Sequence, residues 1–477
     1  MGMIDTANAT TLVAEAWPPT AAWDAKDVGS RCAQPSHTWW NRPDPMWSTL
    51  FDQDSYAAWS SAAGLRRNVA ADVALAPAKA LSRTRDEAVD AVLSPRGSLT
   101  RWRMLSAAHL FRTLTLPQWA ALVGSPRAVS WTSFEALPLF QAGLVDVGHL
   151  RAPGVGAWAP GVDTGLVRPA DTTVWDARVA PALPWTTWLA VSGGAGWSGG
   201  RGLGSDRHNV LATELALRLM EIADVSAVLP EALCDVGVLA GLEPGARATG
   251  TADLAMVRPD GARIGVEVTC NPGDGDKLGK KIMKWVRAMS EPTPQARALG
   301  VVFLIAPRNP GTAAPGALRR SVMRAIARHL HDGFVAADVA SRIGVATWRE
   351  WFPQAGMVSQ EFFDQSVAVW SPGALGAPGT WARQSWSGAT PAWAPRPEDR
   401  HALGSVTEHT RVIAGLPRWF RESGPEPLLA ALLMSAAGRA SFPQRPRPGA
   451  PRDRAPVGLG WGAASPAKAP HALTNRL

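Results

Sequence analysis

Cysteine, tyrosine and lysine are scarce in this 477-residue chain, and long apolar runs are missing from it. The three cysteines, Cys32, Cys234 and Cys270, are odd in number and far apart. They exclude a disulfide framework and a cysteine-based zinc site, and they suit a reducing cytoplasm. No stretch approaches the ~18 uninterrupted apolar residues of a spanning helix, so no membrane contact is expected. The N-terminus carries acids and Trp17-Pro18-Pro19 in place of a basic segment followed by an apolar one, so no signal peptide is expected.

What is present points elsewhere. At 46% hydrophobic residues the chain can bury real cores, and its 45 glycines and 40 prolines predict long irregular stretches between them. The length suggests about three domains, or two with extensions. A formal net charge of +8 and an isoelectric point near 10.0 favour an anionic partner such as nucleic acid. Arginine-rich usage also follows from a GC-rich genome, so the lysines say more. There are seven, and four of them (Lys277, Lys280, Lys281 and Lys284) fall within eight residues.

Composition and periodicity divide the chain. Residues 1–65 form a Trp/Pro-rich irregular arm, whose tryptophans read as packing anchors. Residues 66–150 read as helices over Ala70–Leu81, Arg85–Leu93, Arg103–Leu114, Pro117–Val123 and Val129–Gly143, closing on a short strand. Residues 151–205 read as a Gly-rich linker. Residues 206–354 alternate helix and strand: a helix over Asn209–Ala223, strands over Asp253–Val257 and Arg263–Thr269, and a helix over Lys277–Met289. They continue with a wholly apolar strand Gly300–Ala306, a helix Gly316–Leu330 and a strand Arg342–Trp348. That alternation predicts an α/β domain with a central sheet. Residues 355–400 read as a second linker, 401–440 as a helical segment, and 441–477 as a disordered basic tail.

One segment carries chemistry. Pro259-Asp260-Gly261 suits a three-residue hairpin loop, with proline pre-setting the first turn position and glycine the left-handed one. Arg258 then faces Ala262, and counting back sets Asp253 opposite Glu267 on the same face, with Cβ atoms ~5 Å apart. Two facing carboxylates cost stability unless a cation neutralises them, and magnesium, which favours one or two carboxylates plus water and phosphate, is a good candidate. An ordinary solvated face, or a one-residue slip that sets Asp253 beside Val268, is the plainer alternative. In the next helix Lys277, Lys280, Lys281, Lys284 and Arg287 recur at three- and four-residue steps, opposite an apolar stripe of Leu278, Ile282, Trp285 and Met289. With no acid interspersed, that basic stripe is expected to face phosphate.

A carboxylate after a helix, a hairpin, then Glu267 on the second strand and a helix behind resembles the PD-(D/E)XK nuclease-like fold. More specifically, His208–Trp348 is similar to the actinobacterial replication-relaxation family, found on plasmids and other mobile elements. The residues that carry the likeness are His208 to Leu217, Arg258-Pro259-Asp260-Gly261, the Glu267 strand, the lysine-bearing helix, Val301–Pro307 and Val345-Ala346-Thr347-Trp348. The resemblance implies a restriction-endonuclease-like central sheet flanked by helices, preceded by a mostly helical winged-helix-like domain that Arg103–Leu150 would supply. It implies Asp253 and Glu267 as metal ligands and Glu214 as an auxiliary acid. Thr269 stands where a nuclease keeps its lysine, which positions the attacking water and stabilises charge on the phosphate. Lys277, Lys280 or Lys281 would have to reach in from the helix instead. In the winged helix, the presumed recognition helix offers Ser130, Thr132, Ser133 and Gln141, with Arg127 at its entrance.

Two glycine motifs are set aside. Gly194-Ala195-Gly196-Trp197-Ser198-Gly199 matches a dinucleotide fingerprint and overlaps a nucleophile-elbow pattern, but more glycine follows where a helix is needed. His329 and His331 sit at a helix end, where histidine caps more often than it binds metal. The expectation is a cytoplasmic DNA-associated protein of a mobile element, acting in replication, transfer or maintenance, with DNA and replication or transfer proteins as partners. It is either a magnesium-dependent nuclease or a non-catalytic DNA-binding adaptor.

Overall fold

A computed structural model describes residues 22–24, 42–47, 56–72, 78–123, 130–151, 165–170, 173–184, 188, 191–192, 197, 205–223, 225, 227–242, 250–258, 260–270, 275–307, 316–354, 357–373, 379–386 and 393. Arg127, Pro259, all of the glycine motifs but Trp197, the helical segment 401–440 and the basic tail 441–477 lie outside them. Strand β1 (Ala22–Asp24) pairs antiparallel with residues 357–359, which ties the N-terminal arm to the stretch expected to be the second linker.

The helical half begins with β2 (Tyr56–Ser60) and α1 (Ala62–Ala70). The helix starts earlier than its apolar periodicity suggests because Ser61 caps it, accepting a hydrogen bond from Gly64 N. The remainder of the expected Ala70–Leu81 helix is, where described, one tight turn over Ala78–Leu81. Next come α2 (Arg85–Leu93), opened by a Thr84–Glu87 capping box, and α3 (Ser98–Phe111). Then follow β3 (Leu114–Thr115), α4 (Leu116–Val123), α5 (Ala136–Gln141), β4 (Val145–Arg151) and β5 (Gly165–Pro169). The strands form an antiparallel sheet in the order β2-β4-β5-β3.

The helix expected over Val129–Gly143 is much shorter than its pattern. Ser130 to Glu135 make turns, with the Ser133 hydroxyl capping Ala136 N, and all six residues of α5 are buried. The side-chain amide of Gln141 donates to Lys79 O at 2.9 Å and to Ser82 Oγ at 3.2 Å, and its oxygen accepts from Arg83. A helix enclosed in this way has no face to lay in a DNA groove.

The second half starts with α6 (Asp206–Ile222) and adds β6 (Ala227–Pro230), β7 (Leu254–Val257), β8 (Arg263–Thr269), α7 (Gly275–Met289), β9 (Leu299–Ile305), α8 (Ala317–Asp332) and β10 (Ile343–Thr347). Beyond these, β11 (Met357–Ser359), β12 (Ser366–Ser371) and β13 (Thr380–Ser385) occupy the stretch expected to be linker. The result is a mixed seven-stranded sheet in the order β13-β12-β10-β9-β8-β7-β6. β8, β9 and β10 run parallel, and every other neighbouring pair is antiparallel. All seven residues of central β9 are buried, as a strand covered on both faces requires.

One continuous core links the two halves. It contains Leu105, Trp119 and Val147 from the helical half, Val266, Phe303 and Val345 from the large sheet, and Trp188, Trp197 and Trp393 from stretches expected to be linkers. Trp197 stacks on Trp175 and on His109, each with ring centroids 4.8 Å apart. Where described, these tryptophans are packing anchors. Among the described residues no helix is long and apolar enough to cross a membrane.

Candidate functional site

The β7–β8 hairpin sets the site. Arg258 N donates to Ala262 O at 2.9 Å, and Gly261 takes the left-handed position at φ +92°. The register runs from Leu254 opposite Val266 to Val257 opposite Arg263, so one step further Asp253 stands across from Glu267. This is the pairing that the three-residue loop predicts, without the slip.

Helix α7 closes over the pair. Glu267 is fully buried, with no exposed side-chain surface. Lys284 Nζ donates to Glu267 Oε1 at 2.7 Å and to Thr251 O at 2.7 Å, and Trp285 Nε1 donates to the same Oε1 at 2.8 Å. Lys281 Nζ lies 2.7 Å from Glu267 Oε2 and 3.8 Å from Asp253 Oδ2, an ion pair spanning both carboxylates. Gly265, two residues before Glu267, makes room for the indole, because a Cβ there would overlap the Trp285 ring. Asp253 Oδ2 also accepts from Val268 N at 2.8 Å and pairs with His208 Nε2 at 2.8 Å. The other ring nitrogen of His208 lies 3.1 Å from Asn209 Oδ1, so both nitrogens face acceptors, the arrangement an imidazolium prefers.

The ionisation of the cluster follows from these contacts. Burial disfavours a charged His208, but the Asp253 carboxylate and the hydrogen bonds outweigh it and raise its pKa. Burial likewise works against a charged Asp253, yet His208, Lys281 and the Val268 amide hold its carboxyl below the ordinary range. Lys281, despite partial burial, is pushed upward by Asp253 and Glu267. Two carboxyl side chains thus face Lys281, Lys284 and His208, basic groups supplied by the chain itself. The repulsion that the hairpin creates is neutralised from within the chain.

That arrangement does not fit magnesium. Both oxygens of Glu267 are engaged, and the Lys281 ammonium stands between the two carboxylates, where a bridging cation would sit. Among the described residues no three His, Cys, Asp or Glu side chains cluster as metal ligands.

The expected site residues separate into groups. Asp253, Glu267, Lys281 and Lys284 come together. Lys277, Lys280 and Arg287 of the same stripe remain exposed, so Lys280 does not enter the cluster. The Thr269 hydroxyl donates at 3.4 Å to the backbone carbonyl of Glu267, two residues before it. Glu214, expected as an auxiliary acid, stands in a separate cluster. It follows His208 by six residues, about 240° around the helix, and points the other way. Its buried carboxylate accepts from Arg42 at 3.2 Å, Arg218 at 3.1 Å and Gln118 at 3.2 Å. Burial alone would raise its pKa, but the two guanidinium groups lower it. Arg218 also pairs with Asp44 at 3.1 Å, so this second cluster clamps the arm and α4 onto α6. Sequence reasoning missed His208 and Trp285 as members of the site. The first was visible as the helix opening, and the second as part of an apolar stripe.

Comparison with protein-family models, curated proteins and solved structures gives no match for this chain.

Proposed function

We propose that this is a DNA-binding protein of a plasmid or mobile element, in which a degenerate PD-(D/E)XK sheet holds DNA by its phosphates without cutting it. The order α6-β6-β7-β8-α7-β9, with the carboxylates on β8 and just before β7, supports the nuclease-like reading of the sheet. The run α3-β3-α4-α5-β4-β5 has the element order of a winged helix. Its would-be recognition helix is enclosed, so the DNA contact is assigned to the α/β half. The observation that carries the reading is the enclosure of Glu267 by Lys281, Lys284 and Trp285. The exposed cations Lys277, Lys280 and Arg287 are left to meet phosphate. A role in replication, transfer or maintenance follows from the resemblance of His208–Trp348 to the replication-relaxation family.

Plasmid nicking with magnesium and with manganese, alongside DNA binding at two salt concentrations, tests this. Expected is salt-sensitive binding, weakened in Lys277→Glu/Lys280→Glu, and no nicking by wild type. Absence of binding at low salt overturns the reading. Metal-dependent nicking by wild type overturns the non-catalytic part of the reading.

A further inference from the structure

Phe334 is the most exposed large apolar side chain described, at 94%, and its backbone is left-handed at φ +47°. It follows α8 in a turn where Phe334 N donates to His331 O and Val335 N to Leu330 O, each at 3.1 Å. Val335 packs against the core and Leu330 is buried within it, which pins the turn from below. The position that calls for glycine is 334, yet the glycine sits one residue earlier, at Gly333, with φ −82°. A bulky residue is therefore held in a disfavoured conformation with its ring in water. Both features cost stability, and neither improves packing.

The surroundings indicate what the ring meets. Helix α8 carries Arg319, Arg320, Arg324 and Arg328 against one acid, Asp332. Arg319 is paired with Glu350, whereas Arg324 and Arg328 are exposed. α8 also touches α7 where Gly279 meets His329, since a Cβ on Gly279 would lie 2.6 Å from His329 Nε2. Lys280 and Arg328 adjoin that contact in sequence, and both are exposed. An exposed aromatic ring at the end of a basic helix matches a ligand with negative charge along its length and flat apolar faces beside it.

We infer that the end of α8 is a single-strand contact, with Arg324 and Arg328 on phosphates and the Phe334 ring stacked on an unpaired base. The inference rests on the DNA-binding reading and names the strand that this surface prefers. The test is titration of the full chain with a short single-stranded oligonucleotide carrying 2-aminopurine, and with the matching duplex. Phe334→Gly is the informative variant because glycine suits the backbone, so its melting temperature should equal or exceed that of wild type. Expected is a roughly 5- to 100-fold loss of single-strand affinity and loss of the 2-aminopurine quench, with duplex binding unchanged and Phe334→Tyr like wild type. Single-strand binding by Phe334→Gly at wild-type strength overturns the inference, as does an equal loss on the duplex. If wild type binds neither oligonucleotide, the DNA-binding reading itself fails and this contact with it.

Discussion

Lys284 Nζ sits 2.7 Å from Glu267 Oε1, and no side-chain surface of Glu267 reaches solvent. The ammonium is nearly as enclosed, with 13% of its side chain exposed, and it also donates to the Thr251 carbonyl. Removing one partner from such a pair leaves the other charge less compensated in a low-dielectric setting. Lys284→Met should therefore destabilise the fold by about 3–5 kcal/mol. Urea unfolding of this variant beside Lys277→Met, an exposed position on the same helix, checks it. Equal stability in the two variants would contradict the buried pair.

The close approach of Gly265 and Trp285 gives a second expectation. Gly265→Ala should cost about 1–3 kcal/mol, because the new methyl displaces the indole that bonds Glu267. Combined with Trp285→Ala, the same methyl should cost little. A double-mutant cycle from unfolding curves measures that coupling, and additive losses would count against it.

The pH dependence of stability follows from His208 and Asp253. The pKa of His208 is raised above its ordinary 6.5, so its contribution is fully present below ~6.5 and fades as pH rises through the folded value. The pKa of Asp253 is lowered from 3.8, so its contribution is present above ~3.9 and fades as pH falls through the folded value. Wild type should hold its greatest advantage over His208→Gln between ~4 and ~6.5, narrowing on the alkaline side. Unfolding free energies of both proteins across that range supply the comparison.

Glu214 separates structure from function. Glu214→Gln leaves Arg42 and Arg218 with a neutral partner and should cost about 3 kcal/mol, yet DNA affinity of the folded protein should not change. A fall in affinity without a fall in stability would return Glu214 to the site.

Much of the α/β half was legible in the chain. The strand Arg263–Thr269 agrees residue for residue, and the hairpin register followed from Pro259-Asp260-Gly261, because a three-residue loop leaves one pairing that buries Val266 and Leu254. The strands β12 and β13 were hidden because Gly- and Pro-rich flanks mask short runs such as Ser366–Ser371. The recognition helix was overread because Leu137, Leu139 and Phe140 give a helical pattern that does not say how many sides are covered.

The sequence by itself determined the facing carboxylates, the basic stripe and the apolar stripe behind it, because period-two and period-3.6 patterns are properties of local backbone geometry. Only the tertiary structure decided which cations turn inward. Lys277, Lys280, Lys281 and Lys284 share one stripe, but Lys281 and Lys284 sit within reach of Glu267 and Asp253, while Lys277 and Lys280 lie beyond them in water. The reason is distance: charge pairing falls off over a few ångströms, and helix periodicity does not encode the separation between α7 and the hairpin.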